Sequence, residues 1–91
     1  MFVVIAYDIQ DDRRREALAK LLLEYGTRMQ KSVFECLLEK RELDRLVEKV
    51  RPFVETSLES VRFYVLCHRC MEQSAHVGGL PLNRDPLFYL V

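Results

Sequence analysis

Six uncharged residues in a row, Phe2, Val3, Val4, Ile5, Ala6 and Tyr7, stand near the start of the chain and end on a carboxylate, Asp8. An unbroken apolar run of this kind reads as a strand buried on both faces, extending over about residues 2–9. After Asp8 come Ile9, Gln10, Asp11 and Asp12, then three consecutive arginines, Arg13, Arg14 and Arg15. A carboxylate at the tip of a buried strand, beside a helix fronted by arginines, is a place to hold a divalent cation against a phosphate.

The rest of the chain supplies the partners of that strand. A helix is expected to begin near Asp11 or Asp12, the residue types that cap helix N-termini, and to end before Gly26 as its C′ residue. Leu18, Leu21, Leu22 and Tyr25 fall at i, i+3, i+4 and i+7, one helical face. Residues 27–39 are rich in β-formers but broken at Lys31 and Ser32, so they read as two short strands with a tight turn, or one bent strand. A second helix follows over about 40–51, where Leu43, Leu46, Val47, Val50 and Val54 keep the helical spacing. Pro52 ends or kinks it. Residues 55–59 are a polar connection, and Val61, Phe63 and Val65 alternate with Arg62, Tyr64 and Leu66 as a strand does.

Residues 68–85 read as a loop, punctuated by Gly78, Gly79, Pro81, Asn83 and Pro86 just beyond it. Residues 86–91 read as a final short strand. The fold class is therefore α+β: a ferredoxin-like βαββαβ sandwich in one domain, 1–91, with its core in 1–67 and an extra C-terminal strand. Both helices would lie on one face of an antiparallel sheet. The open face is then a natural surface for a homodimer, and the extra strand can pair with an edge of its own sheet or of a partner's.

Charge and cysteine usage narrow the functions. The chain of 91 residues has fourteen basic and fourteen acidic side chains, and this zero balance argues against indiscriminate nucleic-acid binding. A local basic patch stays open, because ten of the fourteen bases are Arg, the side chain best matched to phosphate. No basic region precedes the first apolar run, and no stretch approaches the length of a membrane span, so the expected location is the cytoplasm, away from membranes. Three cysteines, an odd number, fit a reducing compartment.

Each candidate site has a plainer reading beside it. Asp8 is either a strand-end acid bonding loop amides or a magnesium ligand, and one carboxylate alone makes a poor site unless a dimer axis supplies a second. The arginines either pair with Asp11, Asp12 and Glu16 or gather phosphate with the free helix amides. Cys67, His68, Arg69 and Cys70 look like half a zinc site, but only Cys36 and His76 remain to complete it. The two cysteines read instead as ordinary small, partly buried residues, and a redox dithiol is ranked below zinc. No Gly-rich phosphate loop or RRM aromatic signature is present.

Tyr7-Asp8-Ile9, Arg14-Arg15, Leu22, Tyr25-Gly26-Thr27-Arg28 and Gln30-Lys31-Ser32-Val33-Phe34-Glu35 together resemble one family, the Cas-two family of small CRISPR-associated proteins. The Val61–Leu66 strand, residues 61–66, is also of the expected kind. The resemblance implies a ferredoxin-like homodimer that acts in spacer acquisition as the adaptor between dimers of the CRISPR integrase subunit. It also implies a magnesium-dependent endonuclease acting on single-stranded RNA or duplex DNA. Carried over by position, Asp8 is the ligand of one magnesium shared between two chains, and Arg15 and Arg28 are catalytic. Tyr7, Arg13, Arg14, Ser32 and Phe34 line the nucleic-acid cleft, with Phe34 equally placed to be core and Arg14 an alternative to Arg15. Residues beyond 67 depart from the family pattern. Besides the nuclease, a non-catalytic nucleic-acid scaffold and a toxin-like mRNA nuclease of similar architecture remain as readings. A metabolite-binding regulatory dimer fits the charge balance but none of these residues.

Overall fold

The computed structural model describes residues 1–75 and Val77. The expected C-terminal strand, 86–91, lies outside the described residues, as does half of the expected loop. Within them the chain forms β1 (Phe2–Asp8), α1 (Asp12–Leu23), β2 (Gly26–Gln30), β3 (Val33–Leu37), α2 (Lys40–Val50), a 3-10 turn (Arg51–Phe53), β4 (Ser60–Leu66) and α3 (His68–Gln73). The sheet is antiparallel in the order β2-β3-β1-β4, the ferredoxin-like arrangement expected from the sequence.

β1 is central, as its composition requires, but its two faces are not equally dry. Val3, Ile5 and Tyr7 are buried, whereas Val4 and Ala6 are half-buried and Asp8 is exposed. The buried set joins Phe34 and Cys36 of β3, Leu18, Ala19 and Leu22 of α1, and Leu43, Leu46 and Val50 of α2 in one core. Each of the Val, Leu, Ile and Phe side chains among them contributes about 1.5–3 kcal/mol by leaving water. Both long helices thus sit on the face of the odd-numbered β1 residues. The alternation of a strand puts Val4, Ala6 and Asp8 on the helix-free face. There they stand in line with their cross-strand partners Tyr64, Arg62 and Ser60 on β4.

Local chemistry sets the element ends. Asp11 caps α1, its Oδ2 accepting from the Arg14 amide at 2.9 Å. Glu42 reaches back to the Glu39 amide at 2.9 Å to begin α2. Pro52 ends α2 by turning it into the 3-10 turn, and Val54 falls outside the helix, 37% exposed. The break at Lys31 and Ser32 is a turn between two strands, and β2 carries an irregularity between Arg28 and Gln30.

Two expectations are corrected here. Gly26 is not the C′ residue of α1: the helix ends at Leu23 with Glu24 as its C-cap, and Gly26 opens β2 opposite Cys36. The glycine is needed for close approach, because a Cβ there would lie 2.3 Å from the Glu35 carbonyl oxygen. Residues 68–73, expected as loop, form α3 instead. Met71 is the reason: it is buried with Phe2, against Val4 and Leu66, and pins this turn of helix onto the helix-free face near the start of β1.

Candidate nucleic-acid and metal site

Pairing with β3 and β4 holds β1 so that Asp8 emerges at the sheet's end, where α1 begins and the β2–β3 turn comes alongside. Tyr7, Asp8, Ile9, Arg15, Lys31 and Ser32 line a shallow depression of about 240 Å³ at this junction. The Tyr7 amide donates to the Ser32 carbonyl at 3.1 Å, which ties the turn to the strand next to Asp8. Asp8 itself makes no hydrogen bond or ion pair through its side chain among the described residues, so its carboxylate is available to a ligand.

Lys31 is the hub that the sequence reading did not single out. Its carbonyl accepts from the Tyr7 hydroxyl at 3.0 Å and from Arg28 Nε and Nη2 at 3.1 and 2.6 Å. Its position in the break between two β-forming runs, across from the end of β1, was the available signal. Burial raises the Tyr7 hydroxyl pKa, against the opposing pull of Arg28. Tyr7 is therefore a neutral donor that locks the turn, and at 6% exposure it has little surface to offer a nucleic acid. Phe34 is fully buried, its ring stacked at 6.2 Å from that of Tyr7, with the Arg28 guanidinium 5.8 Å above it. Its assignment as a cleft residue is corrected: it is core, the floor on which Tyr7 and Arg28 rest.

The arginine triplet does not act together. Successive helical residues point about 100° apart, so the three side chains diverge. Arg13 is exposed to solvent. Arg14 turns away from the depression and locks onto Glu59: Nη1 and Nη2 reach its two carboxylate oxygens at 2.7 and 2.9 Å, and Nη1 also donates to the Phe53 carbonyl at 2.8 Å. Nε pairs with Glu55 at 2.8 Å. This corrects Arg14 as a phosphate ligand, because every arm of its guanidinium has a partner inside the fold. Glu59, read only as part of a polar connection, is buried and also accepts from the amides of Gln10, Glu55 and Thr56. The Arg14 bonds, aided by these amides, hold its carboxyl down at about 2 despite burial.

Arg15 stays at the depression. Its Nη1 donates to the Ile9 carbonyl at 2.9 Å, Nη2 pairs with Asp12, and Nε is buried without a partner. Arg28 has a loose ion pair with Glu16 at 3.8 Å. Of the expected site residues, the structure brings Tyr7, Asp8, Arg15 and Ser32 together, sets Arg28 beside them through Lys31, leaves Arg13 in solvent, and engages Arg14 and Phe34 within the fold.

The donors at the depression are hard oxygens, the Asp8 carboxylate with the Ser32 hydroxyl nearby, which is the chemistry magnesium prefers. Among the described residues no three His, Cys, Asp or Glu side chains gather, so a single chain offers half of such a site. A second Asp8 from another copy, with waters and a phosphate, would meet the need of a cation that takes one or two carboxylates.

The fold and this junction define a ferredoxin-like domain with an acid-tipped central strand and a basic rim. The model of the CRISPR associated protein Cas2 family matches residues 1–74. A Synechocystis sp. protein named CRISPR-associated endoribonuclease Cas2 3 is 45% identical over 83 residues, spanning 91% of this chain and 90% of that one. The crystal structure of Streptococcus pyogenes Cas2 superposes with a TM-score of 0.73 at 29% identity, covering 86% of this chain and 100% of that one. A chain from a partial Cas6-RT-Cas1–Cas2 complex does so with a TM-score of 0.74 at 30% identity, covering 91% of this chain and 97% of that one. The chain belongs to the Cas2 family. No helix of its described residues is long and apolar enough to cross a membrane.

Proposed function

We propose that this chain works in CRISPR adaptation as a homodimer that binds nucleic acid and joins the integrase subunit, and that it cuts phosphodiesters with magnesium at Asp8. The observation that carries the reading is Asp8 itself, an exposed carboxylate unengaged by its own fold at the tip of the central strand. Family membership, relatives named endoribonuclease or endonuclease, and a structural neighbour solved with Cas1 support the setting.

Two copies meeting through the sheet faces opposite α1 and α2, at the Asp8 end, would set Asp8 opposite Asp8. A magnesium ion held there supplies charge neutralisation at the scissile phosphate and a more acidic water. The chain's own part is positional. Arg15, anchored through Nη1 to Ile9, offers a phosphate the edge now shared with Asp12. Arg28, fixed over Phe34, exchanges its loose Glu16 partner for substrate. Ser32 donates from the turn. Single-stranded RNA and duplex DNA are both substrates to test.

A second reading has its own observation. Among the described residues no histidine lies at the depression to serve as general base. A scaffold that only holds duplex DNA needs no general base. Cleavage of labelled single-stranded RNA and duplex DNA by wild type and Asp8→Asn, with magnesium and with chelator, separates the two. Nuclease action predicts turnover that requires magnesium and falls by at least about a hundredfold in Asp8→Asn, as expected when a residue holding the catalytic charge is lost. Salt-sensitive duplex binding equal in both proteins, with no cleavage by either, supports the scaffold and refutes catalysis.

A further inference from the structure

At the other end of β1 from Asp8, the chain carries two nucleophiles that the nuclease and scaffold readings leave unused. Cys67 and Cys70 are both exposed free thiols, and their sulfurs lie 3.3 Å apart. This corrects the expectation that they are ordinary, partly buried residues. The fold holds them together: the Met71 amide donates to the Cys67 carbonyl at 3.0 Å, and Met71 is buried against Phe2. The turn bearing both thiols is thereby anchored on the sheet, so little chain entropy remains to be lost on joining them.

We propose that Cys67 and Cys70 form a reversible dithiol–disulfide pair that exchanges with low-molecular-weight disulfides of the glutathione type. The two sulfurs are not equivalent. The Cys70 amide donates to Cys67 Sγ from 3.4 Å, and the two thiols share a hydrogen bond at 3.3 Å. Those bonds lower the Cys67 pKa and raise that of Cys70. Cys67 is accordingly the attacking residue. Its thiolate displaces one thiolate from the small disulfide and forms a mixed disulfide. The deprotonated Cys70 then attacks Cys67 Sγ, the second small thiol leaves, and the proton lost by Cys70 goes to solvent or to that thiol. Two protein thiols become one disulfide while one small disulfide is reduced to two thiols.

A metal site fits less well. Among the described residues no third His, Cys, Asp or Glu joins the pair, where a tetrahedral soft-metal site needs four ligands. The third cysteine takes no part, since Cys36 is buried in the core and burial lifts its thiol to about 11. Asp8 is six strand residues from Phe2, about 20 Å at the rise of a β-strand, so exchange proceeds apart from any chemistry at Asp8.

The test equilibrates the full chain in buffers of graded reduced and oxidised glutathione, quenches with an alkylating agent and reads the intact mass. The expected oxidised form is lighter by two hydrogens, carries no glutathione, and protects Cys67 and Cys70 from alkylation. Cys70→Ser should trap one glutathione on Cys67, about tenfold faster than Cys67→Ser traps it on Cys70. Thermal unfolding of both variants, substituted at exposed positions, should match wild type and so separate reactivity from folding. Thiols that stay reduced at the oxidising end, chain-to-chain disulfides alone, or a stoichiometric metal that blocks alkylation would each overturn the proposal.

Discussion

Gly26→Ala tests whether the glycine between α1 and β2 is there for a close backbone approach. An ideal Cβ at Gly26 would sit 2.3 Å from the Glu35 carbonyl oxygen, 2.5 Å from Cys36 Sγ and 2.9 Å from Cys36 Cα. Ordinary contact begins near 3.4 Å, so β2 has to withdraw from β3 by about 1 Å. Two of the three obstacles are backbone and the third is the side chain of a residue only 2% exposed, so none can swing aside. Overpacking of this kind costs about 1–3 kcal/mol. Alanine recovers about 0.4–1 kcal/mol by restricting the unfolded chain. The net loss is about 1–2 kcal/mol. At roughly 4–8 °C per kcal/mol for a domain of this size, Tm should fall by about 5–15 °C. Circular dichroism melts at several protein concentrations would measure it, since a dimer's Tm moves with concentration. Thr27→Ala, at the next and exposed position, should stay within about 0.5 kcal/mol of wild type. A Gly26→Ala protein that melts at or above the wild-type temperature would refute the argument.

Two further predictions concern residues that the structure reassigned. Phe34→Ala removes a fully buried ring and should cost about 3–5 kcal/mol, a Tm loss of at least about 12 °C; a variant with normal Tm and weakened nucleic-acid binding would return Phe34 to the cleft. Glu59→Gln should destabilise the protein at neutral pH, because an amide NH2 would face donors from Arg14 and three backbone amides. The folded-state pKa of Glu59, about 2, lies below its ordinary 4.5, chiefly through the Arg14 bond. The carboxylate's contribution is therefore complete above pH 4.5 and is lost as pH falls toward 2, so the Tm gap between wild type and Glu59→Gln should close over that window. A gap that stays constant from pH 6 to about 2 would show that ionisation of Glu59 does not stabilise the fold.

The sheet and its two long helices were legible because apolar periodicity is a local signal. Leu18 and Leu22, then Leu43, Leu46 and Val50, stand at helical spacing and are buried as that spacing requires. Asp8 was legible for a related reason: a charge that ends an apolar run has to mark the strand's tip. What escaped were facts of tertiary placement. Nothing local distinguishes Arg14 from Arg15, and only the Glu59 carboxylate arriving 45 residues later gives one to the fold and leaves the other at the depression. Gly26 follows a helix and looks like its cap, while the reason for it lies across the sheet at Glu35 and Cys36. α3 has no amphipathic run long enough to announce itself, and it is held by Met71 packed with Phe2, Val4 and Leu66.

The fate of the arginine triplet explains how a chain of zero net charge can still present a basic site. Three cations in the first turn of α1 oppose the helix dipole. The fold answers with Asp11 at the cap, Asp12 beside Arg15, and Glu59 buried against Arg14. Only the last pairing is enclosed. Asp12 is exposed, so its attraction to Arg15 is screened by water and yields to a better anion, whereas the Arg14–Glu59 pair does not. The neutral total is thus divided into a locked pair that ties α1 to the segment before β4 and an exchangeable pair at the tip of β1. A phosphodiester arriving there would meet Arg15 with its anchor to Ile9 already made. The sequence supplies the charges in equal number, and burial decides which of them a nucleic acid can reach.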